Sequence, residues 1–376
     1  MLRITFIITG LNTGGAEMML LKLLSTIDRQ RFSPSVITLT GGELQSRIED
    51  LGFSVYNLNI KTEAIPVTGL FRLVCLLRQL QPDVLQGWMY HANLAAQIAA
   101  IFLRNKTPVV WNIRGTNTDL AQEKWMTAAT IWLNAKFSGW PVKIINNSRN
   151  SVVQHEKILG FSATNTVIIP NGFDVEQFKP SPEAYQAIRN LLGLPSDTLL
   201  VGLIGRYHPM KDHGNFLRAV SLLSKTHPAV RFILAGTGVD ASNGEVTSLV
   251  HELGFESSVV LLGRRDDIPE ITAALDVACS SSSYGEGFSN AIGEAMSCGV
   301  PCVVTDVGDS AWIVGDTGKV VPPRDPVALA AGLRDLLDRD AVIRLALAER
   351  ARQRIVDNFS LETVVRQYEV LYESLI

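Results

Sequence analysis

The sequence predicts an α/β protein made of two doubly wound domains that face a central cleft. Short apolar runs rich in Val and Ile alternate with longer amphipathic stretches along the whole chain. The alternation breaks at Pro170-Asn171-Gly172-Phe173-Asp174 and Phe178-Lys179-Pro180-Ser181-Pro182, then restarts. At 376 residues the chain is too long for one ordinary core and suits two domains of about 150–200 residues.

In the first half the predicted strands are Ile4–Thr9, Ser35–Thr40, Ser54–Leu58, Val84–Gln86, Val109–Ile113, Lys143–Asn146 and Val167–Ile169. Helical periodicity fills most gaps between them, at Ala16–Ser25, Leu44–Asp50, Leu70–Gln79, Asn93–Leu103 and Asn150–Ile158. Strands buried on both faces and joined by helices make a parallel sheet. The second half repeats the scheme with strands Leu199–Ile204, Arg231–Ala235, Val259–Leu262, Asp276–Ser280, Cys302–Thr305 and Lys319–Val321. Its helices fall near Ala184–Leu191, Gly214–Thr226, Glu245–Leu253, Ile268–Ala273 and Pro326–Asp338. The predicted domains are residues 1–172 and 173–358. Residues 359–376 form a last helix, about Leu361–Leu375, with packing back on the first domain as one option. Loops at the carboxyl ends of both sheets would then face the cleft.

Composition narrows the function classes. A net charge of −3 and a pI near 6.1 do not suggest a general nucleic-acid binder. Residues 1–170 hold 16 Lys and Arg against 10 Asp and Glu, so the first half is basic and the second acidic. A basic half suits an anionic partner. Cys75, Cys279, Cys298 and Cys302 have neither disulfide nor zinc spacing, and a reducing cytosol is the simplest reading. Met1-Leu2-Arg3-Ile4 enters a strand whose apolar run breaks at Gly10, unlike a signal peptide, and no stretch reaches ~18 apolar residues. The expected protein is cytoplasmic, or peripheral at the inner face of the plasma membrane.

The chemistry concentrates in the second half. Glu286-Gly287-Phe288-Ser289-Asn290-Ala291-Ile292-Gly293-Glu294 follows an apolar run and a small-residue loop, then enters a helix that stops near Gly299-Val300-Pro301. One carboxylate lies on the loop and another about two turns into the helix. Between them Gly287, Ser289 and the helix N-terminus offer N–H groups to an anionic or hydroxyl-rich ligand. Gly205-Arg206-Tyr207-His208-Pro209-Met210-Lys211-Asp212 follows the strand Leu199–Ile204 and puts two cations where a diphosphate would lie. The Gly236-Thr237-Gly238 and Gly263-Arg264-Arg265-Asp266 turns either flank a nucleotide base or are plain turns.

In the first half, Thr9-Gly10-Leu11-Asn12-Thr13-Gly14-Gly15-Ala16-Glu17 joins the first strand to the first helix. Its glycines lack the dinucleotide G-x-G-x-x-G spacing, which argues against a nicotinamide site. His91 closes the strand Val84–Gln86, and Arg114, in Trp111-Asn112-Ile113-Arg114-Gly115-Thr116, ends the next strand where it would meet an anionic acceptor. Trp125, Trp132 and Trp140 lie within Gln122–Pro141 beside Lys124 and Lys136, as in a helix at a membrane interface or one packed on the sheet.

The Gly14-Gly15-Ala16-Glu17 start, His91, the Pro170–Asp174 junction, the Gly205-Arg206 to Lys211-Asp212 loop and Glu286/Glu294 occur in this order over nearly the whole chain. So ordered, the chain resembles the retaining GT-B glycosyltransferases of the E-x7-E family (group 1, family 4), especially bacterial enzymes of O-antigen, capsule or exopolysaccharide synthesis. The resemblance implies two Rossmann-like domains, a C-terminal one for a nucleotide-sugar and an N-terminal one for the acceptor. It implies that Arg206 and Lys211 neutralise the diphosphate and that Glu294 holds the ribose hydroxyls. Glu286, with the backbone of Gly287, Phe288, Ser289 and Asn290, would orient the sugar. His91 would contact that sugar, and Gly14 and Gly15 would approach it and the diphosphate, with Gly205, Gly236 and Arg264 completing the donor site. No metal or other cofactor is implied. The expected donor is a UDP-sugar, with GDP-mannose second, and the expected acceptor is a glycan, free or linked to polyprenyl diphosphate. A sugar-nucleotide 2-epimerase and a non-catalytic sugar-nucleotide-binding protein are the alternatives.

Overall fold

Along β1 (Leu2–Ile8) alternate side chains enter opposite layers. Ile4, Phe6 and Ile8 join one apolar cluster and Ile7 joins another. A strand buried on both faces needs cover on both, which helices on either side of a parallel sheet provide. The computed structural model describes residues 1–60, 66–115, 120 and 124–376, and contains two such sheets. The first adds β2 (Phe32–Thr38), β3 (Ser54–Asn57), β4 (Val84–Trp88), β5 (Val109–Ile113), β6 (Lys143–Asn146) and β7 (Thr166–Ile168), in the order β3-β2-β1-β4-β5-β6-β7. The second has β8 (Leu200–Ile204), β9 (Arg231–Ala235), β10 (Val259–Leu261), β11 (Val277–Ser280), β12 (Cys302–Thr305) and β13 (Lys319–Val321), in the order β10-β9-β8-β11-β12-β13. Strand order reverses at β1/β4 and at β8/β11. At such a reversal the following loops diverge to opposite faces and leave a crevice outside the carboxyl ends.

Two compact units result, Met1–Gly172 with Leu361–Ile376, and Phe173–Ser360. The first carries α1 (Gly15–Thr26), α2 (Leu44–Asp50), α3 (Val67–Leu80), α4 (Tyr90–Ile101), α5 (Trp125–Phe137) and α6 (Arg149–Gln154). The second carries α7 (Pro182–Leu191), α8 (His213–Ser224), α9 (Gly244–Leu253), α10 (Ile268–Ala273), α11 (Asn290–Ser297), α12 (Ser310–Val314), α13 (Pro326–Leu337) and α14 (Ala341–Phe359). Then α15 (Leu361–Glu373) returns to the first.

Most strands lie within a residue or two of the sequence reading. β2 starts earlier, at Phe32 rather than Ser35, and takes in Pro34. It can, because β3 pairs with β2 only from Ser35 onward and Pro34 has a neighbouring strand on one side alone. The largest omission is α14. Its buried stripe is narrow, Leu347, Ala351, Ile355 and Phe359, and apolar Val342, Ile343 and Leu345 off the stripe are exposed, which blurs the period of this helix capped by Asp340. Periodicity identifies α15 as a helix, and packing fixes where it docks. Tyr368 and Tyr372 are fully buried, Tyr372 lies edge-on to Phe6, and its hydroxyl donates to Gln86 Oε1 at 2.5 Å. No helix among the described residues is long and apolar enough to cross a membrane.

Candidate functional site

In the second unit the loops that follow β8 and β11 flank the strand-order reversal, and they are stitched together. Ser281 Oγ donates to Lys211 O at 2.7 Å, and Ser283 N donates to Met210 O at 2.8 Å. This brings the Lys211 ammonium to Glu286 Oε1 as an ion pair, and Ser282 Oγ donates to the same oxygen at 2.8 Å. Glu286 is 9% exposed, so its charge is kept there by two named partners. Arg206 is exposed and makes no hydrogen bond or ion pair among the described residues. A guanidinium and an ammonium therefore stand on one loop, the first without a partner among the described residues and the second paired to the Glu286 carboxylate.

A third loop, after β12, fixes the carboxylate from behind. Thr305 Oγ1 donates to Ser282 O at 2.6 Å, and Asp309 N donates to Gly287 O at 2.9 Å. Gly308 has φ +61°, and a Cβ there would come within 2.2 Å of Glu286 O. Neither Gly308 nor Ser282 stands out in the sequence. A glycine in the turn after a predicted strand is the one available signal for the first, and for the second there is none.

Ser289, 3% exposed, caps α11 by position, but its Oγ has no partner among the described residues. A buried hydroxyl without a partner at a helix N-terminus is suited to a ligand oxygen. Glu294 is half-buried and is the fifth residue of α11. It therefore sits little more than one turn in, rather than the expected two, because the helix starts only at Asn290. The Phe288 ring packs on Phe173 at 6.0 Å, Phe359 at 5.3 Å and Trp312 at 5.4 Å, so only its backbone is offered to a ligand. Gly205, Gly236 and Gly263 stand side by side at the ends of β8, β9 and β10. Gly205 N donates to Ala235 O and Gly236 N to Gly263 O, each at 2.8 Å. A Cβ on Gly236 would meet Gly205 O at 2.1 Å, so this approach requires glycine. Arg264 is exposed on the adjoining turn.

His213, at the start of α8, is 2% exposed, and neither ring nitrogen has a hydrogen bond of good geometry among the described residues. Burial lowers its pKa to about 4, with the Gly205 carbonyl acting the other way and Lys211 reinforcing the fall. Between about pH 6.5 and 4 the unfolded chain binds a proton the folded one refuses, so stability falls as pH drops through this window, by up to about 3 kcal/mol. The urea midpoint of wild type should fall from pH 7 to pH 4.5 by more than that of His213→Gln. Equal losses would refute the assignment.

The first unit carries its own set of expected residues. Gly14 caps α1, where a built Cβ would meet the Glu17 carboxylate at 2.4 Å, while a Cβ on Gly15 would meet nothing within 4 Å. His91 is the second residue of α4, half-buried, and lines a cavity with Leu94 and Trp125. Arg114 differs most from expectation. It donates to Tyr368 Oη at 3.1 Å and to Asn171 Oδ1, and its guanidinium lies 5.2 Å from the Trp88 ring centroid. Those contacts tie β5 to α15 through neutral partners, which engage guanidinium donors and leave the positive charge in place. Thr116 of the same run, and Gln122, lie outside the described residues. Trp125, Trp132 and Trp140 are 77%, 53% and 55% exposed, so their rings are on the surface and not in the core. Among the described residues no group of three or more His, Cys, Asp or Glu is placed to hold a metal ion.

Two family models match, Glycosyltransferase Family 4 over residues 13–177 and Glycosyl transferases group 1 over residues 198–339. The chain is 24% identical over 372 residues to the Escherichia coli UDP-Gal:alpha-D-GlcNAc-diphosphoundecaprenol alpha-1,3-galactosyltransferase, covering 96% of this chain and 94% of that one. It is 31% identical to the D-inositol 3-phosphate glycosyltransferase of Corynebacterium jeikeium, over 62% of this chain and 59% of the relative. Among solved structures, Anabaena Alr3699/HepE in complex with UDP superposes with a TM-score of 0.86 at 24% identity, over 99% of this chain and 100% of that one. With two parallel Rossmann-like sheets, the fold is GT-B.

Proposed function

Because this chain belongs to the group 1, family 4 glycosyltransferases, we propose that it moves a sugar from a UDP-sugar to a lipid-linked glycan, retaining anomeric configuration and needing no metal ion. The observation that carries the donor half is the Lys211–Glu286–Ser282 group at the β8/β11 reversal. In the free protein Lys211 and Glu286 neutralise each other. An arriving diphosphate exchanges for the carboxylate on Lys211, with Arg206 swinging in as the second cation. Glu286, still held by Ser282, is then free to accept from the sugar hydroxyls. Glu294 accepts from the ribose, and the Ser289 hydroxyl and the backbone N–H groups at the start of α11 meet the remaining oxygens.

The acceptor hydroxyl oxygen bonds to the anomeric carbon as the bond from that carbon to the phosphate oxygen breaks. The acceptor proton passes to the departing phosphate, and the nucleoside diphosphate leaves. Arg206 and Lys211 stabilise the charge that builds on the leaving group, which substitutes for a metal ion. Turnover is accordingly expected to be unchanged in EDTA, and a loss restored by Mg2+ would refute that part. UDP as the nucleotide has support in the UDP held by the Anabaena structure and in the UDP-galactose named for the E. coli relative. The same relative's diphosphoundecaprenol acceptor supports a lipid-linked acceptor.

The deciding experiment is a thermal-shift panel of UDP, GDP, ADP and dTDP, followed by transfer assays with the sugar donors of the binding nucleotide. At 100 times Kd the bound nucleotide should add about 2.7 kcal/mol to apparent stability. A shift with GDP alone would replace UDP. Binding with conversion of the donor and no transfer would favour the epimerase alternative. Glu294→Gln is expected to weaken UDP binding more than turnover, since a carboxylate accepting hydroxyls contributes about 1.5–3 kcal/mol. Glu286→Gln should lower turnover more than affinity, and opposite phenotypes would exchange the two roles.

A further inference from the structure

We propose that the first unit contains a binding site for the aliphatic chain of a lipid-linked acceptor, in the cavity between α3, α4 and α5; this deepens the acceptor assignment above and rests on it. The cavity has a volume of about 260 Å3 and is lined by Leu70, His91, Leu94, Ile98, Trp125 and Ala129, among others. An apolar cavity of ~150 Å3 takes a benzene ring, so this one has room for a chain segment of about ten carbons. His91 stands just past the carboxyl end of β4, beside the strand-order reversal of the first sheet, and the cavity leads from there to Trp125, 77% exposed at its rim.

The surroundings select the occupant. α3, α4 and α5 contain no Asp or Glu, while Arg72 and Arg78 on α3 and Lys136 on α5 are exposed. Val67 and Phe71 on α3 are 85% and 67% exposed, and Trp132 on α5 is 53% exposed with the Lys136 ammonium 5.7 Å from its ring centroid. Two helices that carry cations and exposed aromatics, α3 and α5, with no carboxylate on either of them or on α4, fit a lipid with an anionic head. A soluble glycan has nothing to place in a cavity walled by Leu, Ile and Trp. The chain of a phosphate-headed lipid does, and its head then lies on the side of His91 and the strand ends.

Decyl phosphate and ethyl phosphate, both below micelle concentration, are the probes, titrated calorimetrically into the 376-residue chain. Wild type should bind decyl phosphate at least about a hundredfold tighter, since each buried methylene adds several-fold in affinity. Ala129→Phe, which fills the cavity, should remove that preference without altering the thermal shift given by UDP. Should Ala129→Phe fail to fold, Trp125→Ser removes the rim from an exposed position and should cut the preference at least about tenfold. A preference undiminished from wild type in a folded Ala129→Phe or Trp125→Ser protein overturns the proposal. In transfer assays, the matched acceptor with a ten-carbon chain should have a lower KM than the same glycan diphosphate with a methyl group. Transfer to both with equal KM overturns the chain site and leaves the acceptor class standing. Chain-length preference in calorimetry with transfer only to free glycans overturns the acceptor class instead.

Discussion

Lys211→Ala is expected to lower turnover at least about a hundredfold, the scale on which loss of one preorganised partner of developing charge is felt. Two effects combine. The leaving diphosphate loses the ammonium nearest the Glu286 loop, and Arg206, exposed and without a partner among the described residues, cannot restore its position. Among the described residues Glu286, at 9% exposure, is also left with only the Ser282 hydroxyl, 2.8 Å away. An uncompensated carboxylate this buried destabilises the loop. The double variant Lys211→Ala/Glu286→Gln should therefore recover stability lost in Lys211→Ala and recover no activity. Steady-state kinetics with urea denaturation of wild type, Lys211→Ala, Glu286→Gln and the double variant tests this. Activity of Lys211→Ala within twofold of wild type would remove Lys211 from the diphosphate site.

Gly308→Ala should be nearly as severe, although Gly308 need not touch substrate. With φ at +61° an alanine there carries roughly 1 kcal/mol of backbone strain. Its Cβ would also come 2.2 Å from Glu286 O and 2.7 Å from Gly287 O, so the loop bearing Glu286 must move. Displacement of a substrate-positioning group by about 1 Å can cost about a hundredfold in rate. Gly193→Ala is the matched control. Gly193 has φ +64° with nothing within 4 Å of a built Cβ, so that variant has the strain without the collision. Gly193→Ala should lose about 1 kcal/mol of stability and keep its activity. Gly308→Ala with wild-type kcat and only the same stability loss would mean the β12 loop does not position Glu286.

Much of the candidate site is legible because glycine, strand ends and charge spacing are local signals. Gly205, Gly236 and Gly263 end predicted strands, and the structure lines them up on adjacent strands. Glu286 and Glu294 bracket a helix entrance that the run Gly287 to Asn290 already marks. The Trp residues are a different case. Trp and Lys at helical spacing suit a core helix and a surface one alike, and only the exposures of Trp125 and Trp132 place them outside. Arg114 was legible as a cation at a strand end. That Tyr368 and Asn171 engage it was not, because Tyr368 lies 254 residues away in sequence.

By itself the sequence determined the fold class, the number and order of most strands, and the family, because apolar runs of strand length, strand-end glycines and the order of motifs are written along the chain. Only the tertiary structure decided that α15 seals the first unit through Tyr368 and Tyr372, that Lys211 holds Glu286, and that Gly308 leaves room for the loop between them. These depend on which strand lies beside which. β8 and β11 become neighbours at the strand-order reversal although their loops are more than seventy residues apart in sequence, and the hydrogen bonds that join those loops follow from that adjacency.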